Sequence, residues 1–238
     1  QLENAKAKVE SKIKSNKFIA YFQSFTNTYG DFDYLEKCFK TAINRDDVVA
    51  VSIGTRPDCL PAEILDMLEN LNKIKPVWIE LGLQTSNEKS ADYIRRCYKN
   101  EVYENAVKEL NKRNIKVLVH IINGLPYETK EMMLETIKYL NKLNIWGIKI
   151  HMLHIIKNTA LEKLYKKEKF HILSKEEYVD IVCDQLELIN QNVVINRLTG
   201  DPKIDDLIEP TWLIKKVCVL NDIDKEIAKR NATQGSKS

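Results

Sequence analysis

Five short apolar stretches of this sequence each end in polar side chains that could bind a small molecule. The stretch around Trp78 shows the pattern well, because its apolar run delivers Glu80, Gln84 and Thr85 near its C-terminal end. The polar residues at the five ends are Gln23; Ser52, Thr55 and Arg56; Glu80 and Gln84; His120 and Asn123; and Lys149 and His151. On parallel strands they would line one polar mouth, where βα-barrel enzymes place their sites. The alternative is five ordinary strand ends, since every strand must end in something hydrophilic.

Several catalytic arrangements are missing from the sequence. No pair of carboxylates at strand ends suggests glycosidase chemistry, and no nucleophile elbow or Cys/His pair is evident. His151 and His154 are three residues apart and could bind a metal ion, but no third ligand is obvious. A lone histidine in an apolar run, such as His120, is often a hydrogen-bonded core residue. The polar ends are better suited to recognition than to proton transfer.

Two further segments bear on binding. The sequence Asn123-Gly124-Leu125-Pro126 predicts a tight turn at a strand end, where glycine lets the backbone approach a ligand closely. Arg95 and Arg96 have two interpretations, a solvated surface or a clamp for an anion.

Predicted strands and helices alternate along the chain. The strands lie near 17–23, 48–54, 77–84, 116–122 and 147–153, with a more polar sixth strand at 193–198. The helices are predicted at 1–16, 32–44, 61–71, 88–97, 101–113, after the cap Thr129, from Ser174 to about 190, and at 210–230. Regular alternation indicates parallel strands, and no dinucleotide or P-loop motif is present. The fold class is therefore α/β, a full or partial βα barrel.

Composition limits the class of protein. With 238 residues, 37 basic and 34 acidic, the net charge of +3 gives no argument for nucleic-acid binding. The five cysteines form no CxxC motif, which indicates reduced thiols in the cytoplasm. No apolar run reaches the about 18 residues of a membrane span, so no membrane partner is expected. Because the chain opens with Gln1 in a charged helical pattern, we expect a cut through a longer protein.

An ordered set of motifs resembles the radical S-adenosylmethionine (radical SAM) superfamily. The motifs are Gly54-Thr55-Arg56-Pro57-Asp58, Glu80-Leu81-Gly82-Leu83-Gln84-Thr85, Gly124-Leu125-Pro126, and Lys149-Ile150-His151 with Lys157-Asn158-Thr159. Each motif is weak alone, but the ordered set over roughly 17–200 is specific. More narrowly, it is similar to a bacterial branch related to the catalytic subunit of elongator.

The resemblance implies a partial (βα)6-type TIM barrel and a reductive chemistry. In this superfamily a 4Fe–4S cluster, held by a CxxxCxxC loop after the first strand, reduces SAM to methionine and a 5′-deoxyadenosyl radical. A reductant protein such as flavodoxin or ferredoxin is then an implied partner. The elongator subunit modifies wobble uridine in tRNA, so the resemblance also implies an RNA substrate.

This sequence departs from the family in one large respect, because it contains no CxxxCxxC. We therefore expect the chain to begin after the family's first strand, with five barrel strands, no metal site and no activity alone. The expected domains are an incomplete barrel over 1–170, a helix–strand–helix extension over 171–230 and a loose tail over 231–238.

The resemblance also implies SAM-binding residues. Gln84 and His120 match ribose-binding positions, and Arg96 matches a position that can bind the SAM carboxylate. Asn123 and Gly124 match the turn near the adenine. Gln23, Ser52 and His151 join the set as strand-end residues, although Phe22-Gln23 replaces a Gly-Gly-Glu common in the family.

Two other functions remain open. One is a non-catalytic binding or scaffold domain, a barrel remnant without its cluster. The other is a βα-barrel lyase or isomerase that uses Lys149 and His151.

Overall fold

The computed structural model describes residues 3–4, 6–7 and 15–238. The helix predicted over 1–16 lies mostly outside these residues. The chain divides into two compact units, one formed by residues 1–82 with 101–118 and the other by 83–100 with 119–238.

Six strands form the main sheet. They are β1 Phe18–Phe22, β2 Val48–Thr55, β3 Val77–Gln84, β4 Lys116–Asn123, β5 Gly147–Met152 and β7 Val194–Arg197, in the spatial order β1-β2-β3-β4-β5-β7. The strands are parallel, as the βα alternation predicted. Two strands that the sequence did not predict, β6 Ile155–Ile156 and β8 Leu207–Glu209, form a separate antiparallel pair.

Eight helices accompany these strands in the part of the chain that the structure describes. They are α1 Phe32–Ile43, α2 Ala62–Asn72, α3 Glu88–Tyr93, α4 Asn100–Lys112, α5 Lys130–Leu140, α6 Ala160–Glu168, α7 Lys175–Leu188 and α8 Lys216–Lys229. Asp31, Asn87, Thr129, Thr159 and Ser174 cap helices through their side chains, because each accepts a hydrogen bond from a backbone N–H of the first turn.

In the first unit, an apolar core forms between the helices and one side of the strands. Phe39 of α1 is buried and meets Phe22 of β1 edge to face, with ring centroids 5.0 Å apart. The side chains of β3 alternate, so Val77, Ile79 and Leu81 are fully buried, whereas Trp78 and Glu80 share the opposite side.

A cluster of ion pairs between α7 and the end of α8 stabilises the second unit. Arg230 pairs with Asp184 at 2.6 Å and with Glu187 at 3.1 Å, and also with Asp180. Lys130 of α5 pairs with Asp180 and Asp184. Helices α5 and α7 and Arg230, the residue after α8, are thereby cross-linked through charge.

The last eight residues differ from the loose tail expected from the sequence. The backbone N–H of Gly235 donates to Leu186 O at 3.0 Å, and that of Lys237 donates to Glu187 O at 2.8 Å. The Gln234 amide donates to Val193 O at 2.7 Å. The two backbone hydrogen bonds satisfy carbonyls at the end of α7, and tertiary contacts thus hold a segment that has no apolar pattern of its own.

Other segments also depart from the sequence predictions. The helix predicted at 88–97 ends at Tyr93, and α6 was not predicted. The last helix begins at Lys216, after a short 3-10 turn over Thr211–Lys215, and not near 210. No helix among the described residues is both long and apolar enough to cross a lipid bilayer.

Candidate functional site

Glu80 is a buried carboxylate on the polar side of β3. Its side chain is 5% exposed and accepts two hydrogen bonds, from Ser52 Oγ at 2.6 Å and from the Tyr21 hydroxyl at 2.8 Å. The structure therefore brings together three residues from β1, β2 and β3. The sequence predicted Ser52 as a ligand contact and left Glu80 without a role. Ser52 and Glu80 are 28 residues apart and meet because of the register of β2 and β3, in which Gly54 lies opposite Glu80.

Gln23 lies beyond the end of β1 and is exposed. The neighbouring residue that organises this strand end is Asn27, which sequence reasoning missed. The Asn27 amide donates to Phe22 O at 3.0 Å and to Gly54 O at 2.8 Å. It thus joins the C-terminal ends of β1 and β2.

Gln84 ends β3 in an unusual backbone conformation. Its φ is +66°, and the Thr85 N–H donates to Leu83 O at 2.9 Å, which makes a γ-turn centred on Gln84. A positive φ costs a side-chain-bearing residue about 1–2 kcal/mol, and such strain clusters at functional sites. The side chain is half-buried, and its carboxamide makes no hydrogen bond to any residue that the structure describes. This amide is therefore available to a ligand.

Arg96 holds this turn in place. Its Nη1 donates to Leu83 O at 3.1 Å and to Thr85 O at 2.8 Å, the carbonyls on either side of Gln84. The remaining donors meet Tyr98 O at 3.0 Å, Asn100 Oδ1 at 2.9 Å and the Glu88 carboxylate at 3.5 Å.

Four of these contacts are hydrogen bonds and the contact with Glu88 is an ion pair, so every guanidinium nitrogen of Arg96 has a protein partner, and its side chain is 1% exposed. Neither interpretation of Arg96 from the sequence fits these contacts. It is not a solvated surface residue, and its guanidinium is committed to the protein. It acts on the site through the backbone around Gln84.

Asn123 also turns its side chain into the protein. Its amide and that of Gln185 in α7 exchange two hydrogen bonds, of 2.8 and 2.9 Å, and Asn123 is 1% exposed. The side chain expected near the adenine is therefore committed to a helix. Gly124 does need to be glycine, because its φ is +80° and an added Cβ would lie 3.0 Å from Leu173 Cδ1.

Two histidines meet on the same side of β4 and β5. The rings of His120 and His151 have centroids 5.3 Å apart, with an angle of 39° between their planes. Burial lowers the pKa of His151 to about 3, with smaller contributions from the charges of His120, Arg197, His154 and Lys149. His151 is therefore a neutral imidazole at physiological pH.

His154 does not complete a metal site with His151. Burial lowers the pKa of His154, and its ring lies against Gly200, where an added Cβ would be 2.2 Å from Nε2. Among the described residues, no group of three or more His, Cys, Asp or Glu side chains could hold a metal ion.

The cysteines do not fit a 4Fe–4S cluster either. Such a cluster needs three cysteine thiolates at one place, and the described part of the chain gathers no such group. The five thiols are free, and they range from the buried Cys183 to the exposed Cys97 and Cys218. These residues cannot supply the ligands of a cluster.

The sequence matches known families over nearly its whole length. The profile described as "Radical SAM superfamily" matches residues 2–140, more than half of the chain. The chain belongs to the radical SAM superfamily. The profile described as "Radical_SAM C-terminal domain" matches residues 145–229 of this radical SAM chain.

Curated relatives come from bacteria and archaea. "Uncharacterized protein YtqA" of Bacillus subtilis is 45% identical over 99% of this chain and 73% of its own length. "Uncharacterized protein MJ0486" of Methanocaldococcus jannaschii is 35% identical over 99% of this chain and 74% of its own length. The "tRNA uridine(34) acetyltransferase" of Methanocaldococcus jannaschii is 27% identical over 70% of this chain and 30% of its own length.

A solved structure shows the fold. The archaeal Methanocaldococcus infernus Elp3 with an N-terminal deletion superposes with a TM-score of 0.82 at 17% identity, over 97% of this chain. The chain spans 58% of the length of that Elp3 chain. This likeness confirms the predicted α/β fold of a partial βα barrel. The resemblance to the radical SAM superfamily, inferred from motifs, is also confirmed, and the fold is similar to that of the archaeal Elp3.

Proposed function

We propose that this chain forms the SAM-binding part of a radical SAM enzyme. The observation that carries the proposal is the carboxamide of Gln84, which a strained turn presents with no protein partner among the described residues. A ribose offers hydroxyl groups that both donate and accept, and a carboxamide can pair with two of them. Gln84 and His120 are the residues that we assign to the ribose, with His151 beside them. Gln23 and Ser52, in the first unit, stay predictions.

When SAM and a 4Fe–4S cluster are bound, this class supplies a 5′-deoxyadenosyl radical that abstracts hydrogen from a substrate. The described residues do not fit the cluster, so we assign none of them to it. Arg96 is left out of the assigned set, because its donors are occupied. The residues of this chain bind and orient the nucleoside, and His151 offers it a neutral imidazole.

An RNA substrate is part of the proposal. What supports it is the tRNA uridine(34) acetyltransferase of Methanocaldococcus jannaschii, which is similar over 70% of this chain.

A cytoplasmic location fits the five unpaired thiols. A small reductant protein such as flavodoxin or ferredoxin is the partner that the chemistry requires.

The test is anaerobic iron–sulfur reconstitution of the protein as its gene encodes it, followed by an assay for 5′-deoxyadenosine from SAM under reduction. We expect cluster absorbance and 5′-deoxyadenosine. Failure to observe both would overturn the enzyme proposal.

A second candidate is a non-catalytic binding domain. The observation that favours it is the lack of three clustered cysteines among the described residues. The same reconstitution separates the two, since a binding domain would retain SAM affinity without producing 5′-deoxyadenosine.

Two variants test the ribose assignment. We expect Gln84→Ala and His120→Ala each to weaken SAM binding about tenfold, the loss of about 1.4 kcal/mol. Equilibrium dialysis or calorimetry measures the affinity. Gln191→Ala and His171→Ala are matched controls, because both residues are exposed. Unchanged affinity in Gln84→Ala and His120→Ala would show the assignment to be wrong.

A further inference from the structure

Four basic or imidazole side chains converge on β4, β5 and β7 of the second unit. Lys149 and His151 lie on the same side of β5, two residues apart. Arg197 of β7 is the register partner of Lys149. The His120 ring of β4 contacts His151. We call this set, His120, Lys149, His151 and Arg197, the cationic cluster.

Arg197 differs from the other half-buried arginines of the chain. Arg45 pairs with Asp47 and Glu3, Arg56 with Asp58, Arg113 with Asp66 and Glu109, and Arg230 with three carboxylates of α7 and one of α8. Arg197 is half-buried, yet it makes no ion pair or hydrogen bond with any residue within the described ranges.

This lack of a partner has a physical consequence. A guanidinium carries five N–H donors in a planar fork that matches a carboxylate or a phosphate. Partly removing such a group from water without an acceptor is costly. The guanidinium of Arg197 is therefore a preformed donor for an anion.

The charges around His151 also favour the binding of an anion. The charges that act on His151 come from His120, Arg197, His154 and Lys149, and all of them lower its pKa. Its Nε2 is buried and has no hydrogen-bond partner among the described residues. A positive potential around a buried polar atom is a favourable environment for an anionic oxygen.

We propose that the cationic cluster binds an anionic oxygen group, a carboxylate or a phosphate, of a molecule bound at the ends of β4 and β5. Arg197 provides the bidentate fork, Lys149 a point charge and the imidazole of His151 a neutral hydrogen bond. The anion belongs to the substrate or to the carboxylate of SAM. Assigning the anion to the substrate or to the carboxylate of SAM rests on the proposed function, whereas the binding of an anion by the cluster does not.

The experiment uses the whole protein with 15N-labelled histidine and follows the ring nitrogens by NMR. The chain contains four histidines, and His171 is exposed beside Glu177. As inorganic phosphate is added, we expect the signals of His120 and His151 to shift in one saturable process. The signals of His171 should stay unchanged. Absence of a saturable shift at His151 would overturn the proposal without any variant.

Two variants test whether the charge of Arg197 contributes to phosphate binding. Arg197→Gln should weaken the apparent phosphate affinity about tenfold, as expected when one charge-assisted contact is lost. Arg95→Gln is the matched control, the same substitution at an exposed arginine outside the cluster, and should bind phosphate as the parent does. Equal affinity in Arg197→Gln and Arg95→Gln would overturn the assignment. Thermal unfolding of both variants verifies that they fold.

A second titration identifies the source of the anion. Phosphate is added to protein saturated with S-adenosylhomocysteine, which has the carboxylate of SAM. Competition assigns the cluster to that carboxylate, and simultaneous binding assigns it to the substrate. If the nucleoside does not bind while phosphate still does, the proposed function fails and the cationic cluster stands.

Discussion

The backbone of Gln84 has a positive φ that glutamine disfavours, and Arg96 compensates for it. Two hydrogen bonds from one Nη1 hold the carbonyls before and after the turn. Because Arg96 is almost fully buried, its contacts are not weakened by competition with water. One arginine thereby fixes the position of an amide that it does not touch.

Arg96→Lys tests this role. A lysine ammonium has three donors and no fork, so at least two of the five acceptors lose their partner. We expect the free energy of unfolding to fall by about 2–4 kcal/mol. Urea denaturation measures it as a shift of the midpoint with an unchanged slope. Arg95→Lys is the matched control at the adjacent, exposed arginine, and equal midpoints for the two variants would contradict the assignment.

Residue types at the site could be predicted from the sequence, but the directions of their side chains could not. Gln84 and His120 were found because each ends or interrupts an apolar run, which is a local signal. Asn123 was placed at a ligand on the same basis and Arg96 by the resemblance to the superfamily, and both face the protein interior. The partner of Asn123 is fixed by the fold, since Gln185 lies 62 residues away.

At the scale of elements, the end of β4 is joined to α7 by the Asn123–Gln185 amide pair. Gln185 Nε2 also donates to Met133 O in α5, at 3.3 Å. Gln185 is fully buried, so both amides would be left without water if the pair were broken. The pair therefore fixes the exit of β4 relative to the two helices.

A double-mutant cycle tests this link. We expect Asn123→Ala and Gln185→Ala each to lower the free energy of unfolding by about 2 kcal/mol. The double variant should lose less than the sum, with a coupling of about 1–2 kcal/mol. SAM affinity separates the alternatives: a contact between Asn123 and the adenine would weaken binding in Asn123→Ala alone. Equal affinities in the two single variants support the structural role.

Strand positions were largely predictable because the signal is local. The run at 77–84 has the predicted bounds, β2, β4 and β5 differ from prediction by one residue at one end, and β1 by one residue at each end. The antiparallel β6–β8 pair was missed, since its strands are two and three residues long and separated by about 50 positions. The hydrogen bonds of the C-terminal tail were missed for the same reason, because their acceptors lie in and just after α7, more than 40 residues away.

At the scale of the whole molecule, buried and paired titratable groups determine the response to acid. Ion pairs lower the pKa of Glu187 and of Asp184, and such carboxylates stabilise the fold above their unfolded pKa. That contribution is lost as the pH falls through the folded pKa. On acidification the contribution of His151 to stability begins to fall at a higher pH, near its unfolded pKa of 6.5, because burial lowers its folded pKa to about 3.

His151→Gln isolates the histidine contribution. Between pH 6.5 and 3 the unfolded chain binds a proton at this residue and the folded chain does not, so stability falls as the pH decreases. The slope reaches at most about 1.4 kcal/mol per pH unit. Urea midpoints measured across this window should fall less steeply in His151→Gln than in the parent. His171→Gln, at an exposed histidine, should retain the parent slope, and identical slopes in all three proteins would contradict the prediction.

Trp78 shares the polar side of β3 with Glu80, only two residues away. An indole changes its emission when the polarity around it changes, so the protein carries its own optical reporter of what occupies that side of the strand. Trp146 and Trp212 also emit, so the contribution of Trp78 is the part of the signal that is lost in Trp78→Phe. A fluorescence titration can therefore follow occupancy of this side of β3 without any added label.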